Sequence, residues 1–363
     1  MKLFYEGQTA FSYIWSAMEE AEQSIDIRMF IWRDDVLGRK MLDAVRAADQ
    51  RGIDVRIKKD WLGSVFELAE ESRASLIHDK VPLKGWLTAL WMHGFYPMAG
   101  KPRRARLASA DIFAGTNIQC DPHDMRSDHS KSILLDQRLF IVSGMNFENK
   151  EYDQDLLGRK YFDYMLAVDL KDHTLMEAPL SIERNLLEVS KDLDIIQNVD
   201  GLFHVKPGIM SRIRQARSEL TIVMAYIGYQ EITDALIEKC NEGVQLTLYL
   251  PIKANLQSDL NLKVASQLYE RTSGKIRIFL CQEMIHAKLI MVDDDYVTFG
   301  SANLNRQALE VLGETNIGFF SKVHGVYDDI HASMEAIRKA SIEVRSQEDL
   351  KYNRLRAFLE GLV

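Results

Sequence analysis

The sequence has few cysteines, no long apolar run and no cationic excess. Three cysteines in 363 residues, at positions 120, 240 and 281, are too few and too far apart for a disulfide framework or a zinc site. We therefore expect packed thiols in a reducing compartment. No stretch approaches the roughly 18 apolar residues that span a bilayer, and the first residues, MKLFYE, lack the apolar core of a signal peptide. The expectation is a cytoplasmic protein, attached peripherally, if at all, to the inner face of the cell membrane.

The charge balance argues against one broad class of protein. Lys and Arg number 45 against 53 Asp and Glu, a formal net charge of −8. A dedicated nucleic-acid binder usually has a basic domain, so we expect nucleic acid not to be the main partner. Apolar residues make up 47% and charged residues 27%, a composition typical of a globular protein. The length is too great for one ordinary core and suits two domains or two fused halves.

Two stretches of the chain repeat the same order of predicted elements. The first contains a helix at 10–22, a strand at 24–31, a helix at 40–51 and a strand at 53–57. The second contains a helix at 209–218, a strand at 220–226, a helix at 231–241 and a strand at 244–250. A glycine, Gly52 or Gly243, separates the second helix from the second strand in each copy. The alternation of strands and helices predicts a mostly parallel sheet in each half.

Each repeat is followed by the same pattern of polar residues. Residues 129–136 read HSKSILLD and residues 286–293 read HAKLIMVD, and Asn146 and Asn303 follow them. In both copies His, Lys, Asp and Asn stand at offsets 0, 2, 7 and 17. One such motif would be a weak signal, whereas two copies at the same place in a repeated unit indicate one shared site.

These residue types, taken in pairs, suit a phosphodiester. Side chains two apart on a strand share a face, so His129 lies beside Lys131 and His286 beside Lys288. One neutral imidazole can attack phosphorus while the other, protonated, gives its proton to the leaving alkoxide. The lysines and the motif asparagines can bind the non-bridging oxygens. We predict one active site between the halves, with no metal and no cofactor. Which histidine attacks phosphorus stays open, because the two motifs are equivalent in sequence.

A catalytic histidine needs an acceptor for its second ring nitrogen. Glu314 follows His286 in the same half, and we expect it to hold that ring. In the first half we expect Asp163 to hold His129, in preference to other nearby aspartates. Each partner is thus expected to come from the same half as its histidine.

The motif aspartates, Asp136 and Asp293, are candidates of a different kind. Both stand at predicted turns, where aspartate is common because it hydrogen-bonds the local backbone. We count them among the catalytic candidates but favour a scaffold role over direct chemistry.

The first half carries an insertion that the second lacks. The interval from the repeated glycine to the motif is 77 positions in the first half and 43 in the second. An aromatic segment at 86–98 and a basic run at 101–106 lie within it. Two interpretations stay open, a packed helix or an interfacial lid that meets anionic lipid. The candidate membrane-binding or substrate-binding residues are Trp86, Trp91, Phe95, Arg103, Arg104 and Arg106.

These motifs resemble the phospholipase D superfamily, whose signature is the paired HxKxxxxD motif followed by a Gly/Ser-rich turn and Asn. The chain is most similar to bacterial cardiolipin synthases, in stretches 24–31, 34–40 and 51–64, and Asp163 lies where those enzymes have a Trp-Arg-Asp triplet. The resemblance implies a phosphohistidine intermediate that water or an alcohol resolves, with a phospholipid such as anionic phosphatidylglycerol as substrate. The chain departs from the pattern at Ser143-Gly144, which replaces Gly-Ser, and at Ser130, where Arg is common. The transmembrane helices of many cardiolipin synthases are also missing.

We therefore predict an α/β fold of two phospholipase D-like α/β/α sandwich halves, related by pseudo-twofold symmetry, with mixed, mostly parallel sheets. The first half spans 1–175 with an insertion at about 65–115, a helical connector spans 176–200, and the second half spans 201–363 with C-terminal helices. The predicted function is cardiolipin synthase-like transphosphatidylation. The alternatives are a phospholipase D-type hydrolase, a nuclease or soluble phosphodiesterase of the same superfamily, and a catalytically idle membrane-binding module.

Overall fold

The computed structural model describes residues 1–69, 76–77, 83–95, 112–120, 127–155, 157–170, 186–190, 193–199 and 201–362. The strands are β1 (Lys2–Phe4), β2 (Ser24–Met29), β3 (Asp54–Lys59), β4 (Gln119–Cys120), β5 (Ser132–Leu135), β6 (Leu139–Ser143), β7 (Tyr161–Phe162), β8 (Met165–Asp169), β9 (Leu186–Ser190), β10 (Leu193–Val199), β11 (Leu202–Phe203), β12 (Glu219–Met224), β13 (Gln245–Pro251), β14 (Arg277–Cys281), β15 (Met284–Ile285), β16 (Lys288–Val292), β17 (Tyr296–Gly300), β18 (Glu314–Phe320) and β19 (Ser341–Glu343).

The helices of the same ranges are α1 (Gly7–Glu20), α2 (Val36–Gln50), α3 (Trp61–Ala69), α4 (Leu83–Phe95), α5 (Asn149–Tyr152), α6 (Val205–Gln215), α7 (Gln230–Asn241), α8 (Ser258–Arg271), α9 (Arg306–Glu310), α10 (Tyr327–Lys339) and α11 (Arg354–Glu360). Within these ranges, no helix combines the length and the hydropathy that a bilayer crossing needs.

Two large sheets show the duplication. The first has the order β1-β8-β6-β5-β2-β3-β4, and the second has the order β11-β10-β18-β17-β16-β12-β13-β14-β19. The run β8-β6-β5-β2-β3-β4 therefore corresponds, strand for strand, to β18-β17-β16-β12-β13-β14. The repeated glycines adopt positive φ in both copies, +86° at Gly52 and +104° at Gly243, which a side chain would disfavour. The predicted α/β fold with two related halves is confirmed.

The strand directions differ from the expectation of mostly parallel sheets. Parallel pairing is confined to β2-β3-β4 and β12-β13-β14 within the two large sheets. The strands that carry the motifs, β5 and β16, pair antiparallel on both sides. Each motif strand turns back in a hairpin instead of crossing over through a helix, so the sheets are mixed and mainly antiparallel.

Helices pack on the outer face of each sheet and also in the core between the sheets, where α10 buries Ile330, Met334 and Ile337. The inner faces of the two sheets pack against each other, with Leu134 and Phe140 in the same core as Phe299 and Phe319. Helices α1 and α2 cover the outer face of the first sheet, and α6 to α8 cover that of the second. Each buried Leu or Phe contributes roughly 1.5–3 kcal/mol, so this shared core holds the halves together.

The predicted helical connector is wrong where the structure describes it. Residues 186–190 and 193–199 are strands, and β10 pairs antiparallel with β9 and with β18. In β10 Leu193, Ile195 and Ile196 are buried, and two adjacent isoleucines favour a strand over a helix. Pairing with β10 also covers the edge of β18. Residues 171–185 lie outside the described residues.

The insertion of the first half contributes helices α3 and α4. Val65 and Leu68 of α3 pack with Ala89 and Met92 of α4 in a small separate core. The opposite side of α4 exposes large apolar side chains one helical turn apart, with Leu83, Leu87 and Trp91 being 71%, 53% and 45% accessible. Trp86 packs at the edge of the small core. The side chain of Phe95 and the whole of 103–106 lie outside the described residues.

Candidate active site

A short ladder between the halves positions His286. Strand β15 of the second half pairs in parallel with β7 of the first, Ile285 opposite Phe162. The backbone N–H of His286 donates to the Phe162 carbonyl at 2.9 Å. Because Asp163 follows Phe162, its carboxylate lies beside the imidazole, and His286 Nδ1 is 2.9 Å from Asp163 Oδ2.

An equivalent contact positions His129. Asp128 forms a parallel bridge with Gly313 of the second half, and the backbone N–H of His129 donates to the Gly313 carbonyl at 2.7 Å. The next residue is Glu314, and His129 Nδ1 lies 3.1 and 3.2 Å from its two carboxylate oxygens. The geometry therefore repeats in both halves.

The expected pairing of histidines with acids is wrong, although the four residues are brought together. Glu314 contacts His129, and Asp163 contacts His286, so each acid serves the histidine of the other half. Parallel pairing across the interface causes the exchange, because it aligns the residue that precedes each histidine with the residue that precedes the acid of the other half. Sequence distance along one half carries no information about this contact.

Glu314 is fully buried and the His129 side chain is 13% exposed, and this environment favours the neutral forms of both side chains over an ion pair. Burial, together with Lys131 and Lys288, holds the pKa of His129 well below its usual value. Burial also raises the pKa of Glu314 to about 8, against the opposing effects of Lys131 and of the Ser301 hydroxyl that donates to Glu314. Around neutral pH His129 is therefore a neutral imidazole. In the tautomer that carries its hydrogen on Nδ1, directed at Glu314, Nε2 has the free lone pair.

His286 has the opposite electrostatic preference. Burial and Lys288 lower its pKa, but the carboxylates of Glu151 and Asp163 outweigh them, and the net shift is upward. Glu151 Oε1 lies 3.0 Å from the same Nδ1 that contacts Asp163. The two motif histidines therefore differ, with His286 the ring that favours the proton.

Three oxygen and nitrogen donors around His286 lie close enough for a metal ion. One atom from each of Glu151, Asp163 and His286 falls within 4.8 Å of the others. The ammonium group of Lys288 lies 3.8 Å from Asp163 Oδ2, and a neighbouring ammonium disfavours a second cation. We assign these contacts to hydrogen bonding between the imidazole N–H of His286 and the two carboxylates. The expectation of a metal-free site stays a prediction.

The motif lysines are buried beside their own histidines. Lys131 Nζ donates to the His129 carbonyl at 2.6 Å, and Lys288 Nζ donates to the His286 carbonyl. Burial lowers the pKa of Lys131 to about 7 and also lowers that of Lys288, while nearby carboxylates partly oppose both shifts. A bound phosphate diester would favour the charged form of both ammonium groups.

Both motif asparagines lie in the same cleft as both histidines. The Asn146 side chain accepts the Ile31 N–H at 3.3 Å and donates to Glu148 at 3.2 Å, which fixes its orientation. Asn303 is buried, and its Oδ1 has no hydrogen-bond partner among the described residues. The cleft therefore brings amide groups from both halves to the histidine pair.

The cleft has a volume of about 330 Å³ and combines these polar groups with apolar walls. Leu62 and Phe66 of α3, Trp91 and Met92 of α4, and Leu256 of the second half line it. Leu256 also packs against the small core of the insertion. The aromatic insertion thus borders the site, as far as its described residues show.

Asp136 and Asp293 lie at turns and not with the histidines. Asp136 accepts the backbone N–H groups of Glu22, Gln23 and Ser24 at 2.7 to 3.2 Å. Asp293 accepts those of 217–219 in the same way. Each begins a three-residue loop between paired strand ends, Leu135 with Leu139 and Val292 with Tyr296. The φ of the aspartate is 53° in both copies, a left-handed conformation that aspartate tolerates. Of the two roles left open, the contacts support the scaffold role.

The sequence argument missed the charged residues after Asn146. Glu148 and Lys150 line the cleft, and Glu148 forms a buried ion pair with Arg33 at 2.9 Å. Glu151 contacts His286. The signal was available, because residues 147–151, directly after the motif asparagine, read FENKE, whereas the matching positions after Asn303 read LNRQA.

Comparison with known proteins agrees with this geometry. The family described as "Cardiolipin synthase, PLD-like domain" matches residues 14–156 and 209–338, which correspond to the two halves. Cardiolipin synthase B of Escherichia coli strain K12 is 23% identical over 346 residues, which cover 87% of this chain and 75% of that protein. The minor cardiolipin synthase ClsB of Bacillus subtilis strain 168 is 21% identical over 368 residues, covering 96% and 83%.

A solved structure shares the fold. The phosphatidylserine synthase of Haemophilus influenzae Rd KW20 superposes with a TM-score of 0.68 at 14% identity, over 99% of this chain and 91% of that one. At this identity the likeness concerns the fold alone, including the arrangement of two halves.

Proposed function

This chain belongs to the PLD-like domain family described as cardiolipin synthase, and from that premise we propose that it transfers phosphatidyl groups between phospholipids, as a cardiolipin synthase-like enzyme. The observation that carries the proposal is a single cleft that holds both motif histidines and has apolar walls from α3 and α4. A polar phosphodiester with attached acyl chains fits such a lining. Single-stranded nucleic acid would require a positively charged groove, and the net charge of −8 favours none.

We assign the first chemical step to both histidines. His129 is neutral and carries the lone pair on Nε2, so Nε2 attacks phosphorus and an N–P bond forms. The P–O bond to the headgroup alcohol breaks, and the proton on His286 Nε2 passes to the departing alkoxide. The products are a free alcohol and a phosphatidyl group on His129, with His286 left neutral.

The second step reverses the roles around the same phosphorus. Neutral His286 takes the proton from the incoming alcohol, whose oxygen attacks phosphorus while the N–P bond breaks. His129 regains its lone pair and His286 its proton. A phospholipid alcohol such as phosphatidylglycerol as acceptor gives a diphosphatidyl product, and water gives phosphatidic acid.

The chain's own cations supply the charge that this chemistry needs. Lys131 and Lys288 are buried next to the histidines, where hydrogen bonds to non-bridging oxygens are stronger than in water. The amide of Asn303 also lines the cleft, and its N–H groups can donate to the same oxygens. No step of the proposal requires a metal.

We also propose that the enzyme works at a membrane surface. The exposed stripe of Leu83, Leu87 and Trp91 lies on the helix whose Trp91 and Met92 also line the cleft. Insertion of this stripe among lipid headgroups would place the cleft beside its substrate. The basic residues Arg103, Arg104 and Arg106 lie outside the described residues, and their contact with anionic lipid stays a prediction.

The proposal is tested by comparing substrates and histidine variants. Wild type, His129→Ala, His286→Ala and the control His204→Ala, a half-buried histidine at the start of α6, are incubated with phosphatidylglycerol vesicles, phosphatidylcholine vesicles and single-stranded DNA. We expect wild type and the control to release glycerol and form cardiolipin, and both active-site variants to lose this activity. Phosphatidic acid as the sole product would select the hydrolase. Cleavage of DNA alone would exclude the lipid assignment.

The covalent intermediate has its own test. With a p-nitrophenyl phosphodiester of a lipid, the leaving group needs no proton, so His286→Ala should still form the adduct but resolve it slowly. We expect one equivalent of p-nitrophenolate in a burst and a phosphorylated peptide containing His129. A burst in His129→Ala instead would assign the nucleophile to the other half.

A further inference from the structure

We propose that Glu151 is a positioning residue for His286, a second carboxylate that shares the ring N–H with Asp163 and keeps this histidine as the proton donor of the site. The catalytic consequence rests on the proposed function, whereas the contact itself does not. Glu151 belongs to neither motif and lies on the short helix α5 of the first half.

The contact geometry places two acids on one nitrogen. His286 Nδ1 is 2.9 Å from Asp163 Oδ2 and 3.0 Å from Glu151 Oε1. All three side chains are buried, with Glu151 only 3% exposed. One N–H cannot neutralise two carboxylates, so the arrangement is favourable when the ring carries a positive charge and a second proton on Nε2.

The unused oxygen of Glu151 argues against a purely structural role. Its Oε2 has no hydrogen-bond partner among the described residues. Besides His286, its Oε1 has a long contact, 3.5 Å, with the backbone nitrogen of Asn146. A buried carboxylate without partners is costly. Glu148, three residues earlier, has the contacts of a structural acid, since it binds Arg33 and Asn146. Apart from the charges of Lys288 and Lys131, with which it interacts favourably, Glu151 has its closest described polar contact with His286.

The second half has no counterpart, so the two histidines are not equivalent. Glu151 stands five residues after Asn146, and the residue five after Asn303 is Ala308. In the second half the acid is instead supported by a hydroxyl, because Ser301 donates to Glu314. The first half has Gly144 at that position, where a Cβ atom would lie 2.2 Å from Asp163 Oδ1. One half thus supports its acid with a hydroxyl, and the other adds a second acid.

Other charged groups also face His286 and must be counted. Lys288 on β16 lies next to it and opposes its protonation, as does burial, while Asp163 and Glu151 favour it. Glu148 of the loop before α5 interacts with His286, and the second histidine, His129, interacts with it across the cleft. Removal of Glu151 leaves Asp163 in contact with the ring, with the further charge of Glu148, against the adjacent ammonium of Lys288.

The direct test is the titration of His286 in the full-length protein. Imidazole proton shifts are followed by NMR against pH in wild type, Glu151→Gln and the control Asp153→Asn, which removes one exposed negative charge from the same segment. The His286 resonance is identified by its loss in His286→Ala. We expect the pKa of His286 to fall by about one unit in Glu151→Gln and to stay unchanged in Asp153→Asn. An unchanged pKa in Glu151→Gln would overturn the proposal.

The pH profile of turnover tests the catalytic consequence. The alkaline limb of kcat for phosphatidylglycerol should move to lower pH by the same interval in Glu151→Gln, while KM stays unchanged. If Glu151→Gln does not fold, Glu151→Asp is used, which keeps the charge but places it farther from His286. We expect a smaller downward shift of the His286 pKa in this variant, and an unchanged pKa would count against the proposal. Should wild type fail to turn over phospholipid, the proposed function fails, and the NMR titration still decides the role of Glu151.

Discussion

Replacing Asp136 by alanine should destabilise the protein and spare its chemistry. The carboxylate of Asp136 accepts three successive backbone N–H groups, those of Glu22, Gln23 and Ser24. It thereby joins the turn after β5 to the start of β2. The same reasoning applies to Asp293, which holds the corresponding turn of the second half.

The size of the effect follows from the number of lost bonds. A hydrogen bond to a charged acceptor contributes about 1.5–3 kcal/mol when buried, and the half-exposed carboxylate reduces this to about 1 kcal/mol per bond because water replaces it. Three bonds give a loss of about 2–3 kcal/mol for Asp136→Ala. For a chain of this length that lowers Tm by about 3–4 °C. Asp136→Asn should lose less, because Oδ1 alone contacts all three N–H groups.

The pH dependence of this effect has a definite sign. Burial raises the pKa of Asp136, but its hydrogen bonds to the backbone outweigh burial and the net shift is downward. A lowered folded-state pKa means that the stabilisation is complete above the unfolded value of about 3.9 and is lost as the pH falls through the folded value. Wild type should therefore exceed Asp136→Ala in stability at pH 7 and lose this advantage as the pH falls through the lowered folded-state pKa of Asp136.

Urea unfolding at several pH values measures the stability, and lipid turnover measures the chemistry. We expect kcat of folded Asp136→Ala to stay within about threefold of wild type, against a loss of about 10³-fold or more in His286→Ala. A loss of the same order in folded Asp136→Ala, with unchanged stability, would refute the scaffold role and return Asp136 to the catalytic set.

Four further outcomes follow from the site. Asp163→Asn should lower the pKa of His286 measured by NMR, although the two residues belong to different halves, and Glu314→Gln should leave it almost unchanged. Turnover should decrease as the pH rises through the raised pKa of His286, because a neutral ring has no proton to give, which a pH–rate profile measures. Lys288→Met should lower kcat by about 10²–10³-fold while vesicle binding, measured by co-sedimentation, persists. Leu87→Ala, at a position of the exposed stripe of α4 that does not line the cleft, should weaken vesicle binding and leave the hydrolysis of a short-chain soluble diester within about twofold of wild type.

The shared candidate site could be predicted from the sequence because the duplication repeats the same short motif at the same place in each half. The offsets of His, Lys, Asp and Asn, the glycines after the second helix, and the turn aspartates are all fixed by short-range backbone geometry. Alternating patterns identified β2 and β12, and the helices before them, to within a few residues. Predictions failed where the decision was not local. The antiparallel return of β5 and β16, and the strand β10 in place of a connector helix, depend on which neighbouring strand is available for pairing.

By itself the sequence identified most members of the candidate site: two histidines, two lysines, two asparagines and the acids Asp163 and Glu314. The tertiary structure alone decided how they are paired. Parallel contacts across the interface place Asp163 beside His286 and Glu314 beside His129, because the pairing of the halves, and not distance along the chain, sets which side chains meet. The same packing brings Glu151 to His286 alone. Two motifs that are alike in sequence thereby become chemically different, since burial and neighbouring charge, which are properties of the folded state, control where the proton resides.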